Sequence, residues 1–127
     1  CLEQMKKLPL NLKWRRYIQK RYNEALKDYI QIPEWSDTCQ YYCARVPHDH
    51  RDSLIDYLAS KKIHTSVHFK PLYLYNVVNK MNQREYPIID KEWKRLISLP
   101  CHSAMKEKDI DYVIYWVKNY FSTINKK

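Results

Sequence analysis

One histidine and several tyrosines are gathered in the segment VHFKPLYLY, residues 67–75, and they are the first candidates for chemistry. His68 lies at the end of a predicted strand, before Pro71, and loops that follow strands often carry binding residues. A site histidine there competes with a simpler interpretation, an ordinary surface or hydrogen-bonded histidine. Tyr73 and Tyr75 could stack on a base or a sugar ring, although tyrosines at loop rims are also common packing residues.

A second candidate pair, Arg51 and Asp52, stands at the start of a predicted helix. Arg51 could contact an anion while Asp52 or the nearby Asp49 caps the helix. The structural alternative is a cap with a local ion pair. His102, which follows Pro100 and Cys101, is a weaker third candidate. The sequence has no Ser/His/Asp, paired-carboxylate or HEXXH pattern, so no catalytic and no metal-binding residue is assigned.

Four cysteines leave disulfides, zinc and free thiols open. Cys39 and Cys43 would lie on one face of a strand about 13 Å apart, which is too far for a disulfide. His48 and His50 follow, but the spacing matches no standard zinc finger. The preferred interpretation is reduced, half-buried cysteines in a cytoplasmic protein.

The composition describes one compact domain. The chain has 127 residues and no glycine, where an average composition would give roughly nine. It therefore has no glycine-rich phosphate loop. A net charge of +9 favours anionic partners such as nucleic acid, nucleotide sugars or an acidic protein face. No apolar run predicts a membrane span, and the first residues resemble no signal peptide; the missing initiator Met suggests a fragment.

Hydrophobic spacing predicts a long helix over residues 10–30, with an apolar stripe at Trp14, Ile18, Tyr22, Leu26 and Tyr29. Basic residues, Arg15 among them, fall mostly outside this stripe and indicate a solvated face or a docking surface. A second long helix contains residues 110–124, with a stripe at Ile110, Val113, Ile114, Val117, Phe121 and Ile124. Between them the pattern indicates a strand at 40–46, a helix at 51–62, a strand at 63–69, short helices near 75–81 and 88–96, and a short strand at 97–99. The economical architecture is α+β: a small, mostly antiparallel, three-stranded sheet covered by helices.

Four strings together resemble the C-terminal part of the DegT/DnrJ/EryC/StrS-type sugar aminotransferases, which are pyridoxal-phosphate enzymes of fold type I. The strings are RRYIQKRYNEAL (15–26), YYCARV with HRDSLIDYL (41–58), IHTSVHFKPLY (63–73) and YPIIDKEWKRLISLPCHSAMKEKDIDYVI (86–114). The resemblance covers nearly the whole chain in order. It implies that residues 1–127 form a single C-terminal small domain of the fold type I kind.

The chain departs from the family pattern at four places. Tyr73 replaces the second motif histidine, Phe69 replaces an aromatic that is usually Tyr, and Lys106 replaces a helix-capping Thr. Lys61 and Lys62 stand where the family usually has a Gly. That turn must therefore either be rebuilt or hold a non-glycine residue at positive φ, at a modest cost.

The resemblance implies amino transfer from an amino-acid donor, typically glutamate, to a keto sugar nucleotide, with a homodimer as the whole enzyme. His68, Tyr73 and Arg51 would then contact substrate. Pyridoxal 5′-phosphate (PLP) would be bound mainly by a large N-terminal domain that carries the Schiff-base lysine, which no segment here resembles. The chain alone is expected to be inactive. The alternatives are a basic nucleic-acid-binding module and a non-catalytic relic of the domain.

Overall fold

A computed structural model describes residues 2–32, 40–76 and 85–124. The elements run in the order α1 (Leu2–Leu26), β1 (Tyr42–Arg45), α2 (Arg51–Ser60), a 3-10 turn (Leu72–Leu74), α3 (Pro87–Trp93), β2 (Leu96–Leu99) and α4 (Glu107–Ile124). The α+β class and the two long terminal helices agree with the sequence prediction. Cys39 and most of the predicted helix at 75–81 lie outside the described residues.

The predicted apolar stripe of the first helix forms one wall of the core. Ile18, Tyr22 and Leu26 of α1 are fully buried, since a spacing of four places them on one side. The helix begins earlier than predicted, at Leu2, and continues through Pro9. It also ends earlier, at Leu26, because the chain turns there and brings Ile30 into the core.

The sheet has two antiparallel strands, with Tyr42 opposite Leu99 and Arg45 opposite Leu96. The three-stranded prediction is not matched in the described residues. The segment predicted as the third strand makes a single bridge, in which Ser66 and Ser98 exchange two backbone hydrogen bonds of 3.1 and 2.7 Å. The segment then leaves the sheet toward the 3-10 turn that follows Pro71, so no ladder develops.

Helix α4 closes the core against α1 and α2. Its predicted stripe is buried, because a helical repeat places these residues on one face: Ile110, Val113, Ile114, Val117 and Phe121. At its start, the backbone N–H of Lys106 donates to Asp109 Oδ2 at 2.8 Å. The acid therefore supplies a capping hydrogen bond where the family's threonine is absent. Among the described residues, no helix combines the length and apolar character needed to cross a bilayer.

Helix α2 ends in a turn of the kind that usually requires glycine, although no glycine is present. Lys62 has φ 60°, whereas Lys61 has φ −95°. The N–H of Lys62 donates to Ala59 O and the N–H of Ile63 donates to Leu58 O, both at 2.9 Å. This pair of hydrogen bonds is a Schellman motif, and Leu58 and Ile63 are both buried beside it. Of the two expected outcomes, the structure therefore shows a non-glycine residue at positive φ, and the backbone of the turn is kept.

Replacing Lys62 by glycine is expected to raise the free energy of unfolding by about 1 kcal/mol, because glycine removes the clash between Cβ and the backbone at positive φ. Lys61→Gly removes the same charge at ordinary negative φ and should lower stability. Urea unfolding followed by circular dichroism measures both. A Lys62→Gly protein no more stable than Lys61→Gly would contradict the strained turn.

Candidate functional site

His68 is held against the end of the sheet by two neighbours. Its Nδ1 lies 3.0 Å from Ser98 Oγ, and its ring stacks on Tyr41 with centroids 4.2 Å apart. Ser98 is itself buried in β2 and fixed by the bridge to Ser66. Because one ring nitrogen is occupied by the serine, Nε2 is the atom left to meet a ligand.

His68 lines an open cleft of about 400 Å³. The cleft is also lined by Arg15, Tyr41, His64, Ser66, Ser98 and His102. No functional role was predicted from the sequence for Arg15, His64 or Ser98. Alternation in the strand predicted at 63–69 would place His64, Ser66 and His68 on one face, so that pattern could have identified His64. No sequence pattern predicts that Arg15 of α1 lies in this cleft, because its position there depends on the tertiary fold.

Tyr73 faces a different surface from His68. Its hydroxyl donates to Asp90 Oδ1 of α3 at 2.6 Å, and its ring stacks on Tyr86 with centroids 4.7 Å apart. It lines a mainly apolar groove of about 490 Å³ together with Ile88 and Trp93. The structure therefore does not bring Tyr73 and His68 into one cleft, and the predicted substrate contact of Tyr73 stays a prediction.

The Tyr73 phenol is expected to ionise at a higher pH than an ordinary tyrosine. Partial burial, followed by the hydrogen bond to Asp90, raises the pKa of Tyr73 to about 12 from an ordinary value of 10.0. The folded state therefore holds this proton more tightly than the unfolded state. Its contribution to stability is complete below pH 10 and is lost as the pH rises through about 12.

As the pH is raised from 10.0 to about 12, the free energy of unfolding should decrease less in Tyr73→Phe than in the unchanged protein. Asp90→Asn should lower the pKa of Tyr73 itself. Ultraviolet absorbance of tyrosinate reads the titration, and urea unfolding at each pH reads the stability. Burial also raises the pKa of Tyr22, so only the difference between variants is diagnostic. An unchanged titration in Asp90→Asn would refute the role of the hydrogen bond.

Arg51 lies apart from both the His68 cleft and the Tyr73 groove, and it joins α2 to α3. Its side chain is only 10% exposed; Nε donates to Asp52 Oδ1 at 2.7 Å and Nη1 donates to the Trp93 carbonyl at 3.0 Å. The guanidinium also lies 4.7 Å from the centroid of the Trp93 ring. Asp52 is thus the ion-pair partner, and no side chain at the N-cap His50 caps the helix. Arg51 borders a separate cleft of about 750 Å³, so its predicted substrate contact stays a prediction.

The residues of the His68 cleft do not fit attachment of PLP. That cofactor needs a lysine amine, and no described lysine lines the cleft. Within the described ranges there is also no group of three His, Cys, Asp or Glu side chains that could hold a metal ion. Within the described residues, neither Cys43 nor Cys101 is joined in a disulfide. The cleft can therefore bind and orient a polar ligand through imidazole, hydroxyl and guanidinium groups.

Solved structures that share this fold include the following three bacterial proteins. A DegT DnrJ EryC1 StrS aminotransferase from Brucella abortus is 28% identical, with a TM-score of 0.80, and the match covers 94% of this chain and 33% of that one. The protein Spr1654 of Streptococcus pneumoniae in its PLP-form is 26% identical, with a TM-score of 0.87 over 97% and 34%. The sugar aminotransferase CalS13 of Micromonospora echinospora shares the fold at 20% identity, with a TM-score of 0.80 over 93% and 33%.

The chain spans about a third of the length of each of these structures. No curated protein matches its sequence at a significant level. A sequence profile does match: that of the DegT/DnrJ/EryC1/StrS aminotransferase family, over residues 1–118. The profile covers both strands, the His68 cleft, the whole of α1 and most of α4, and the chain belongs to this aminotransferase family.

Proposed function

We propose that this chain is the small domain of a PLP-dependent aminotransferase, in which an amino group passes from an amino-acid donor, typically glutamate, to the keto group of a nucleotide sugar. The observation that carries the proposal is the cleft around His68 within a fold that belongs to this family. A sugar aminotransferase is among the structures that share the fold, and a relative is solved in a PLP-form.

In this proposal His68 orients the sugar. Ser98 occupies Nδ1 and Tyr41 restricts the ring from one face, so Nε2 is presented to a hydroxyl or keto oxygen in a fixed direction. Tyr73 acts on the same loop from the other side by tying the 3-10 turn to Asp90. Arg51 would contact substrate at the separate cleft that it borders, while its bonds to Asp52 and to the Trp93 carbonyl hold the guanidinium in place.

PLP supplies the electron sink for amino transfer, and in this proposal it is attached to a lysine that this chain does not provide. The 127-residue chain alone is then inactive. Amino transfer would occur in a homodimer in the cytoplasm. Cys43 and Cys101, which form no disulfide among the described residues, are consistent with that reducing compartment.

The test is a chimera in which this chain replaces the small domain of the Brucella abortus relative. The chimera should bind PLP and transaminate a nucleotide sugar. His68→Ala should lower kcat/KM about 10- to 100-fold, the value of a hydrogen bond to a charged or polarised group. His48→Ala, an exposed histidine at the Arg51 cleft, is the matched control and should change it less than twofold.

Two outcomes would contradict the proposal. A folded, PLP-loaded chimera that turns over no nucleotide sugar would favour a non-catalytic relic. Visible absorption of bound PLP in the 127-residue chain alone would show that the cofactor lysine lies in this sequence after all.

A further inference from the structure

The hydroxyl of Ser98 lies in a place where its proton has one acceptor within reach. The residue is only 5% exposed in β2, and its backbone N–H and carbonyl are both used in the bridge to Ser66. Among residues 2–32, 40–76 and 85–124, the one hydrogen-bond partner of its Oγ is His68 Nδ1, 3.0 Å away. The direction of this bond therefore decides which nitrogen of the His68 ring carries a proton.

The bond between Ser98 and His68 can run in two directions, which differ in the group that they leave unpaired. If Nδ1–H of His68 donated to Ser98 Oγ, the serine O–H would be a buried donor without an acceptor in the described part of the chain. A buried donor in that state loses its hydration and gains nothing in return. If the serine donates instead, its proton is paired and no buried donor is left over. The second direction is therefore the more stable one.

Donation by Ser98 fixes the state of the imidazole. Nδ1 of His68 must then present a lone pair, so the proton of the neutral ring lies on Nε2. Tyr41 stacks on one face of the ring, and the ring of Phe69 lies nearly perpendicular to it with centroids 5.1 Å apart. These neighbours hold the plane of the ring, so the Nε2–H group points in one direction.

The surroundings of His68 offer no negative charge that would pair with an imidazolium. Within the described ranges, none of the residues that line the cleft is an aspartate or a glutamate. Arg15, whose guanidinium is a permanent cation, lines the same cleft. A neutral ring that donates from Nε2 agrees with this arrangement of charge.

We propose that Ser98 is a positioning residue, which donates to His68 Nδ1 and thereby makes His68 Nε2 a neutral hydrogen-bond donor. A donor at this point selects a ligand atom that accepts, such as a keto oxygen, and it excludes Nε2 as the base that takes a proton from substrate. That the acceptor belongs to a keto sugar rests on the proposed function, whereas the direction of the Ser98 bond does not.

NMR correlation of ring protons with both ring nitrogens reads the tautomer of each histidine in the 127-residue chain. The spectrum is recorded at about pH 8.5, where an ordinary imidazole with a pKa of about 6.5 is neutral. His68→Gln identifies the His68 signals by their loss. In the unchanged protein we expect a protonated Nε2 and an unprotonated Nδ1. A ring protonated at Nδ1, or one that exchanges between both forms, would overturn the proposal without any need for a variant at Ser98.

Variants at the bridge test the part played by the hydroxyl. Ser98→Ala should let the His68 proton exchange between the two nitrogens, whereas Ser98→Thr keeps a hydroxyl and should retain the Nε2–H form. Ser66→Ala is the control and should leave the tautomer unchanged, because the bridge uses only backbone atoms of Ser66. An unchanged tautomer in Ser98→Ala would contradict the positioning role.

The chimera connects the tautomer to activity. Ser98→Ala should lower its kcat/KM about 2- to 10-fold, the value of one neutral hydrogen bond, and Ser98→Thr should restore it. A changed tautomer with unchanged kcat/KM would overturn the selection of an acceptor by His68. A fixed Nε2–H ring in a chimera without activity would overturn only the proposed function.

Discussion

Replacement of Tyr22 by alanine is expected to lower the free energy of unfolding by about 4 kcal/mol. The side chain is fully buried, and its ring meets that of Tyr42 edge-on with centroids 4.9 Å apart. Its hydroxyl donates to the Pro100 carbonyl at 2.9 Å, just beyond β2. Domains are stable by only about 5–15 kcal/mol, so this one change should remove a large part of the total. Urea unfolding followed by circular dichroism measures it.

Two further variants separate the contributions of Tyr22. Tyr22→Phe keeps the ring and loses the hydroxyl, which should cost about 1 kcal/mol. Tyr115→Ala removes an equally large side chain from the exposed face of α4 and should cost less than about 0.5 kcal/mol. A Tyr22→Ala protein as stable as Tyr115→Ala would contradict the packing of α1 against the sheet.

Arg51→Ala is expected to lower the free energy of unfolding by about 3 kcal/mol. The change removes a charged hydrogen bond to the Trp93 carbonyl, worth about 1.5–3 kcal/mol, and a cation–π contact worth about 0.5–2 kcal/mol. These contacts join α2 to α3, so α3 should lose its attachment first. Hydrogen exchange of the α3 amides, alongside urea unfolding, reads that local effect.

The partner of Arg51 supplies the control. Asp52 is 81% exposed, so Asp52→Asn should cost less than about 0.5 kcal/mol despite the ion pair. Arg51→Lys in the chimera tests the predicted substrate contact separately. A raised KM with little loss of stability would support direct contact with substrate. Stability unchanged in Arg51→Ala would exclude the structural role described above.

Much of the fold follows from periodicity, and particular residues show where periodicity stops being informative. The stripe that contains Ile18 and Tyr22 and the repeat that contains Ile110 and Val113 were both predicted correctly, because a buried helix face leaves a strong pattern. Residues 63–69 alternate like a strand but form only the Ser66–Ser98 bridge. Alternation reports which side of a segment is buried, whereas a strand also needs a partner along its full length.

The candidate site was only partly predictable for a related reason. The strand-end position and the family motif single out His68 from the sequence alone. Arg15 looked like one of several basic residues on the outer face of a helix, because its contribution to the cleft arises from the approach of Gln40 and Pro100. Lys62 was identified correctly as a conflict between sequence and backbone, since a glycine position without glycine is visible in the sequence itself.

The pairing of the first helix with the last has a consequence for synthesis of the protein. The hydrogen bond from Trp14 Nε1 to the Met105 carbonyl joins residues 91 positions apart, and α4 covers the apolar face of α1. At about 5–20 residues per second, a ribosome leaves that face uncovered for roughly 5–18 s. The apolar face of α1 must therefore wait for α4, and during that interval α1 is a target for chaperones that bind exposed apolar helices.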